Sequence, residues 1–111
     1  MKKGREDMSQ NEIRVDESYI SFKNIDCFEN ACVVIDHMIR VLKDPKNMNI
    51  YWEKFMPKIP QAYYSRNPKD DPEEKLLYLV CSNSFYIDDL FEDAQDEVAQ
   101  LALHKCEQEC C

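Results

Sequence analysis

The chain has a single glycine, Gly4, among its 111 residues, and this scarcity restricts the folds open to it. Tight β-hairpin turns need residues that accept a positive φ angle, and glycine accepts it most easily. Nucleotide-binding loops need several glycines so that backbone amides can approach a phosphate closely. The sequence therefore argues against small β-barrels and against nucleotide-dependent enzymes.

The clearest periodic pattern predicts an amphipathic helix that ends before Pro45. Asp26 offers an N-cap oxygen, and Glu29 follows three positions later as in a capping box. One stripe carries apolar side chains at helical spacing, namely Phe28, Ala31, Cys32, Ile35, Met38, Ile39 and Leu42. The opposite side, here called the valine side, consists of Val33, Val34, His37 and Val41. Either this helix is central in the fold, or the valine side meets a partner.

Three more helices are expected along the rest of the chain. Asn49 can cap a short second helix, which Pro57 ends or kinks, and residues 62–72 have the composition of a loop. A third helix is expected to start at Asp71 and to continue to about residue 92. Residues 95–109 form the expected fourth helix.

Asn83 lies on the apolar stripe of the expected third helix. A buried polar group without a hydrogen bond costs about 1–3 kcal/mol, so Asn83 needs a partner. We expect its side chain to bond to a neighbouring backbone carbonyl.

These patterns together predict an all-α fold, a small bundle of about four short helices. Residues 1–15 are expected to be a disordered tail and residues 16–111 a single helical domain, with an extended segment at residues 19–25. The expected core comprises Phe28, Ile35, Ile39, Leu42, Trp52, Val80, Ile87 and Leu90.

The formal net charge is −8, and most of it lies in the last quarter of the chain. Residues 88–111 carry eight acidic side chains and one basic side chain, Lys105. Such a charge repels phosphate backbones and anionic lipids, so neither nucleic acid nor a membrane is an expected partner. The N-terminus lacks the apolar segment of a secretory signal, and no apolar run approaches the ~18 residues of a membrane span, so we expect a cytoplasmic protein.

Six clustered carboxylates form the first candidate partner surface. They lack the spacing and the glycine of an EF-hand calcium loop. A solvated acidic face that docks a partner electrostatically is therefore the favoured interpretation. Its residues are Asp88, Asp89, Glu92, Asp93, Asp96 and Glu97. The valine side is the alternative surface.

The six cysteines form no CxxC motif, and a reducing cytoplasm favours free thiols over disulfides. The candidate thiols are Cys106, Cys110 and Cys111, and the last two, being adjacent, are not expected to bond to each other. A metal site at these thiols would need His104 to turn toward them, which requires the last helical turn to unwind. We expect no cofactor, no metal and no catalytic site, and therefore no enzyme.

Four segments, in this order and spacing, resemble the nitrogen-fixation-sustaining protein CowN family. They are YISFKNIDC (19–27), VIDHMIRVLKDPKNMNIYWEKF (34–55), DDLFED (88–93) and EQECC (107–111). The resemblance covers residues 17–111. It implies a cytoplasmic protein of nitrogen-fixing bacteria that sustains dinitrogen-dependent growth in the presence of carbon monoxide by protecting nitrogenase.

The resemblance leaves two mechanisms open. The protein could bind nitrogenase directly, with the molybdenum–iron component as the expected partner, or it could be a thiol-ligated metalloprotein that scavenges or senses carbon monoxide. Tight binding of carbon monoxide needs a soft, electron-rich metal with cysteine or histidine ligands. Because the sequence shows no recognisable metal motif, direct binding is favoured.

Overall fold

The computed structural model describes residues 26–111, and this part of the chain is helical and without β-strands. Its six α-helices are α1 (Cys27–Leu42), α2 (Ile50–Phe55), α3 (Gln61–Ser65), α4 (Lys75–Ser82), α5 (Ser84–Asp93) and α6 (Glu97–Cys110). Three short 3₁₀ turns lie between them, at Pro45–Asn47, Met56–Lys58 and Pro68–Asp70. The expected all-α bundle is confirmed. The predicted tail and the predicted extended segment lie outside the described residues.

Helix α1 is the central element of the bundle. The carboxylate of Asp26 accepts a hydrogen bond from the Glu29 amide at 2.9 Å, so the predicted N-cap is confirmed. Helices α4, α5 and α6 all pack against α1. Ile35 on the predicted stripe and Val34 on the valine side are both fully buried. Apolar residues occur on both sides of α1 because other helices pack around it.

The segment between α1 and α4 folds into two short helices. Asn49 caps α2 by accepting a hydrogen bond from the Trp52 amide at 3.1 Å, as expected. The prediction of a continuous loop after Pro60 is wrong, because residues 61–65 form α3. The buried Tyr63 of this helix donates a hydrogen bond to Asp36 of α1 at 2.6 Å. This tertiary contact stabilises a helix that the local sequence does not predict.

The predicted third helix is interrupted, and this correction changes the helix count. Asn83 separates α4 from α5 with a backbone at φ −115° and ψ 14°. Its side-chain amide donates to the Leu79 carbonyl at 2.9 Å, and its side-chain oxygen accepts from the hydroxyl of Tyr51. The expected bond to a backbone carbonyl is confirmed, and the competition of this side chain with the helical hydrogen bonds explains the break.

Helix α4 also starts later than Asp71. The side chain of Asp71 is nearly buried and accepts hydrogen bonds from the amides of Lys75 and Leu76 at 2.8 and 2.9 Å. It therefore satisfies two helix-start amides from a position four residues upstream. Glu74, directly before the helix, has a left-handed backbone with φ 55°. The chain between Asp71 and Glu74 is a turn and not the first turn of the helix.

The core lies between α1 and the helices that surround it. Six of the eight expected core residues are buried, and Phe28 and Ile39 are partly buried against the same cluster. None of the helices at residues 26–111 combines the length and the apolar character needed to cross a membrane.

We predict that Ile35→Ala lowers the free energy of unfolding by about 2–5 kcal/mol, because it leaves a cavity in the centre of the core. The control is Ile50→Ala, since Ile50 is 66% exposed and should change the stability by no more than about 0.5 kcal/mol. Chemical denaturation of both variants measures the difference. Equal losses for the two variants would contradict the burial of α1.

Candidate functional site

The six predicted acidic residues lie on α5 and at the start of α6, but two of them have partners within the protein. Asp88 lies 3.1 Å from the His104 ring nitrogen Nε2 and accepts a hydrogen bond from Gln100 at 3.4 Å. Asp96 caps α6 by accepting from the Ala99 amide at 3.1 Å, and it forms an ion pair with Arg40 at 2.6 Å. These contacts join α5 and α1 to α6.

The other four carboxylates, Asp89, Glu92, Asp93 and Glu97, are exposed. Within residues 26–111 none of them forms a salt bridge. We call these four residues the exposed acidic face. Asp88 and Asp96, in contrast, have structural contacts within the protein.

An aromatic surface adjoins the exposed acidic face, and the sequence patterns did not reveal it. The rings of Tyr51 on α2 and Tyr86 on α5 pack with centroids 4.9 Å apart. Phe85 packs against Tyr86 at 5.7 Å, and Trp52 contacts Tyr51 at 4.7 Å. Phe85 is 72% exposed and Tyr86 is 52% exposed. In the sequence, only the helical spacing of α5 could have indicated that Phe85 and Tyr86 lie on its exposed side.

A groove of about 360 Å³ lies between the α2 region and α5. Its walls include Tyr51, Tyr86, Asp89 and Asp93. Lys46 also lines the groove, and its ammonium group lies 3.8 Å from Asp44. The groove therefore combines aromatic rings with two carboxylates of the exposed acidic face. We call it the aromatic–acidic groove.

The valine side is not an exposed surface. Val34 and Val41 are buried, and Val33 and His37 are partly buried. The ring of His37 packs edge-on against Phe91, and its Nδ1 atom lies 2.7 Å from the Arg40 guanidinium. The packing of α1 within the bundle therefore covers two of its four residues, and its role as the alternative partner surface stays a prediction.

The expectation of free thiols is wrong for two of the three candidates. Cys110 forms a disulfide with Cys27, at the start of α1, and Cys111 forms one with Cys81 on α4. The Cα atoms are 5.6 and 5.7 Å apart, within the range of unstrained disulfides. The adjacent cysteines are not bonded to each other, as expected. Helix packing brings their distant partners close, which their spacing along the chain cannot show.

The two free cysteines among the described residues, Cys32 and Cys106, are buried. Burial raises the pKa of each thiol to about 11. Both are therefore protonated at neutral pH, and a protonated thiol is a poor nucleophile and a poor metal ligand. Across residues 26–111, no three His, Cys, Asp or Glu side chains are grouped so that they could hold a metal ion.

The fold and this surface define a small acidic all-α protein in which carboxylates and aromatic rings share one exposed side. Residues 10–111 match the family described as N2-fixation sustaining protein CowN. The chain belongs to this family.

Three relatives share the name N(2)-fixation sustaining protein CowN. The protein of Arcobacter nitrofigilis is 74% identical over 94% of this chain and 100% of its own length. That of Denitrovibrio acetiphilus is 66% identical over 89% of this chain and 93% of its own length. That of Wolinella succinogenes is 47% identical over 86% of this chain and 81% of its own length. No solved structure matches the chain.

We predict that Asp96 contributes to stability in a pH-dependent way. The hydrogen bond from the Ala99 amide and the Arg40 guanidinium hold the pKa of Asp96 below its usual value of 3.8. The contribution is therefore complete above pH 3.8 and is lost as the pH falls through the lowered pKa. The variant Asp96→Asn keeps an N-cap side chain but not the charge.

Chemical denaturation of wild type and Asp96→Asn across this pH range measures the effect. We expect the difference in unfolding free energy to be constant above about pH 5 and to shrink in more acidic buffer. Glu97→Gln, which removes an exposed charge one position along, is the control for the loss of one negative charge at the start of α6. A difference that stays constant at all pH values would contradict the role of Asp96.

We predict that the disulfide-bonded protein exposes two thiols after denaturation, those of Cys32 and Cys106. Opening the bond between Cys81 and Cys111, which lie 30 positions apart, should lower the unfolding free energy by roughly 3–4 kcal/mol, because the unfolded chain gains entropy. Thiol titration and denaturation of the Cys81→Ser/Cys111→Ser variant measure these two quantities. Six titratable thiols in protein purified under oxidising conditions would contradict both disulfides.

Proposed function

We propose that this protein sustains nitrogen fixation in the presence of carbon monoxide by binding nitrogenase and protecting it from inhibition. The observation that carries this proposal is family membership, because the relatives are named for sustaining N2 fixation. The part played by carbon monoxide is the one that the resemblance to the family implies. The molybdenum–iron component is the proposed partner.

The surface chemistry supports direct binding over scavenging of the gas. Cys110 and Cys111 were candidate thiol ligands for a metal. In the structure Cys110 is in a disulfide with Cys27, and Cys111 is in a disulfide with Cys81. Cys106 is a buried thiol with a raised pKa. Four exposed carboxylates, in contrast, have no ion pair among the described residues and can meet a basic surface. Such complementarity speeds encounter and orients the two proteins.

The proposed mechanism is therefore one of contact. When this protein is bound at the surface of nitrogenase, it changes either the access of carbon monoxide to the metal cluster of nitrogenase or the environment of that cluster. It needs no chemistry from the small protein itself, which is proposed to be a binding protein and not an enzyme. The proposed location is the cytoplasm, where nitrogenase would be met.

We expect binding to the purified molybdenum–iron component to weaken as salt is raised, because the Debye length falls from ~10 Å at 0.1 M to ~3 Å at 1 M. The variant Asp89→Asn/Glu92→Gln/Asp93→Asn should slow association at low salt by about 10-fold or more. The variant Glu73→Gln/Glu74→Gln/Asp70→Asn makes the same change of charge elsewhere on the protein and is the control. Association rates over a salt series measure both.

The same variants test protection. Substrate reduction by nitrogenase is measured under carbon monoxide with increasing amounts of each protein. Wild type and the control should restore activity at similar concentrations, and the acidic-face variant should need more protein. Absence of both binding and protection by wild type would overturn the proposal. Stoichiometric iron or copper in protein purified without oxygen, with a spectrum that responds to carbon monoxide, would favour the scavenger or sensor.

A further inference from the structure

Two carboxylates in the aromatic–acidic groove have no ion pair among residues 26–111. Asp89 and Asp93 lie four residues apart on α5, so they occupy the same face of the helix. Like charges at this spacing destabilise a helix. Neither carboxylate forms an ion pair with another residue of the range 26–111. An external cation placed between them would relieve this repulsion.

The aromatic wall of the groove provides a second, independent preference for a cation. The rings of Tyr51 and Tyr86 pack together at an interplanar angle of 37°, and both line the groove beside Asp89. The hydroxyl of Tyr51 donates to Asn83, which holds this ring at the junction of α4 and α5. The faces of aromatic rings attract cations, and arginine is the cation most often found there.

The size and charge of the groove restrict the occupant further. A volume of about 360 Å³ is near the lower limit of ligand pockets, which suits one long side chain and excludes a folded element. Arginine combines a planar cation that stacks on rings with a fork of donors that matches carboxylates. The ammonium group of Lys46, which also lines the groove, lies 3.8 Å from Asp44 and pairs with that carboxylate.

We propose that the aromatic–acidic groove binds an arginine side chain on the surface of the partner protein. The guanidinium stacks on Tyr86 and donates hydrogen bonds to Asp89 and Asp93. The exposed side chains of Phe85 and Ile50, which flank Tyr86 and Tyr51 in the sequence, are covered when the partner docks. This inference rests on the proposed function for the identity of the partner, which is nitrogenase, but the arginine site itself can be tested alone.

The first experiment needs no nitrogenase. N-acetyl-arginine methylamide is titrated into the whole protein while NMR records the ring resonances of Tyr51 and Tyr86. We expect these rings to shift with a saturating curve, and we expect the lysine and glutamine analogues to give smaller shifts. Tyr78, which is 73% exposed on α4 and lies outside the groove, is the internal control. Shifts that are equal for arginine and glutamine would overturn the proposal.

The second experiment measures the affinity for the molybdenum–iron component. Tyr86→Leu should raise the Kd by about 3- to 30-fold, whereas Tyr86→Phe, which keeps the aromatic ring, should retain wild-type binding. Tyr78→Leu is the matched control. The effect of Tyr86→Leu should persist at high salt, because stacking in the groove is screened less than the exposed acidic face.

A matched pair of charge variants separates a specific site from a general electrostatic effect. Asp89→Asn/Asp93→Asn and Glu92→Gln/Glu97→Gln change the net charge equally, but only the first pair lines the groove. We expect the first variant to raise the Kd at least several-fold more than the second. Equal effects of the two variants, with no effect of Tyr86→Leu, would overturn the groove while leaving the proposed function intact. Arginine binding without nitrogenase binding would overturn the proposed function alone.

Discussion

The burial of α1 on more than one side is the constraint on which the rest of the structure depends. Its stripe and its valine side are both apolar, so one layer of helices cannot cover it. Helices α4, α5 and α6 surround it, and each therefore turns one apolar face inward. Their other faces point outward and carry the acidic residues of α5 and α6 together with exposed aromatic rings. The acidic surface is thus a consequence of how a central helix is covered.

Features that depend on neighbours in the sequence could be predicted from it. The caps at Asp26 and Asn49 use side chains within three residues of the amides that they bind. The core stripe of α1 follows from helical spacing alone. The break at Asn83 could be predicted only in part, because the sequence shows a polar residue on an apolar stripe but not the Tyr51 hydroxyl that engages its oxygen.

Features that depend on distant residues could not be predicted. Helix α3 is held by the bond between Tyr63 and Asp36, 27 positions apart in the chain. The disulfide partners of Cys110 and Cys111 become evident only when α1, α4 and α6 are packed. The acidic residues of the candidate site were visible in the sequence. The tertiary structure was needed to show which of them have partners within the protein and which have no ion pair among residues 26–111. It was also needed to show that aromatic rings lie beside them.

The two disulfides also define which parts of the chain stay connected if the backbone is cut. Cys27 and Cys110 join the first and last described helices, so the region of α2 and α3 lies inside a covalent ring. A protease that cleaves between α1 and α4 opens this ring but separates no fragment, because the bond between Cys27 and Cys110 still holds the two pieces together. The helices that carry the exposed acidic face would remain tethered to α1. A single cut in that region therefore breaks the backbone without releasing either part of the protein.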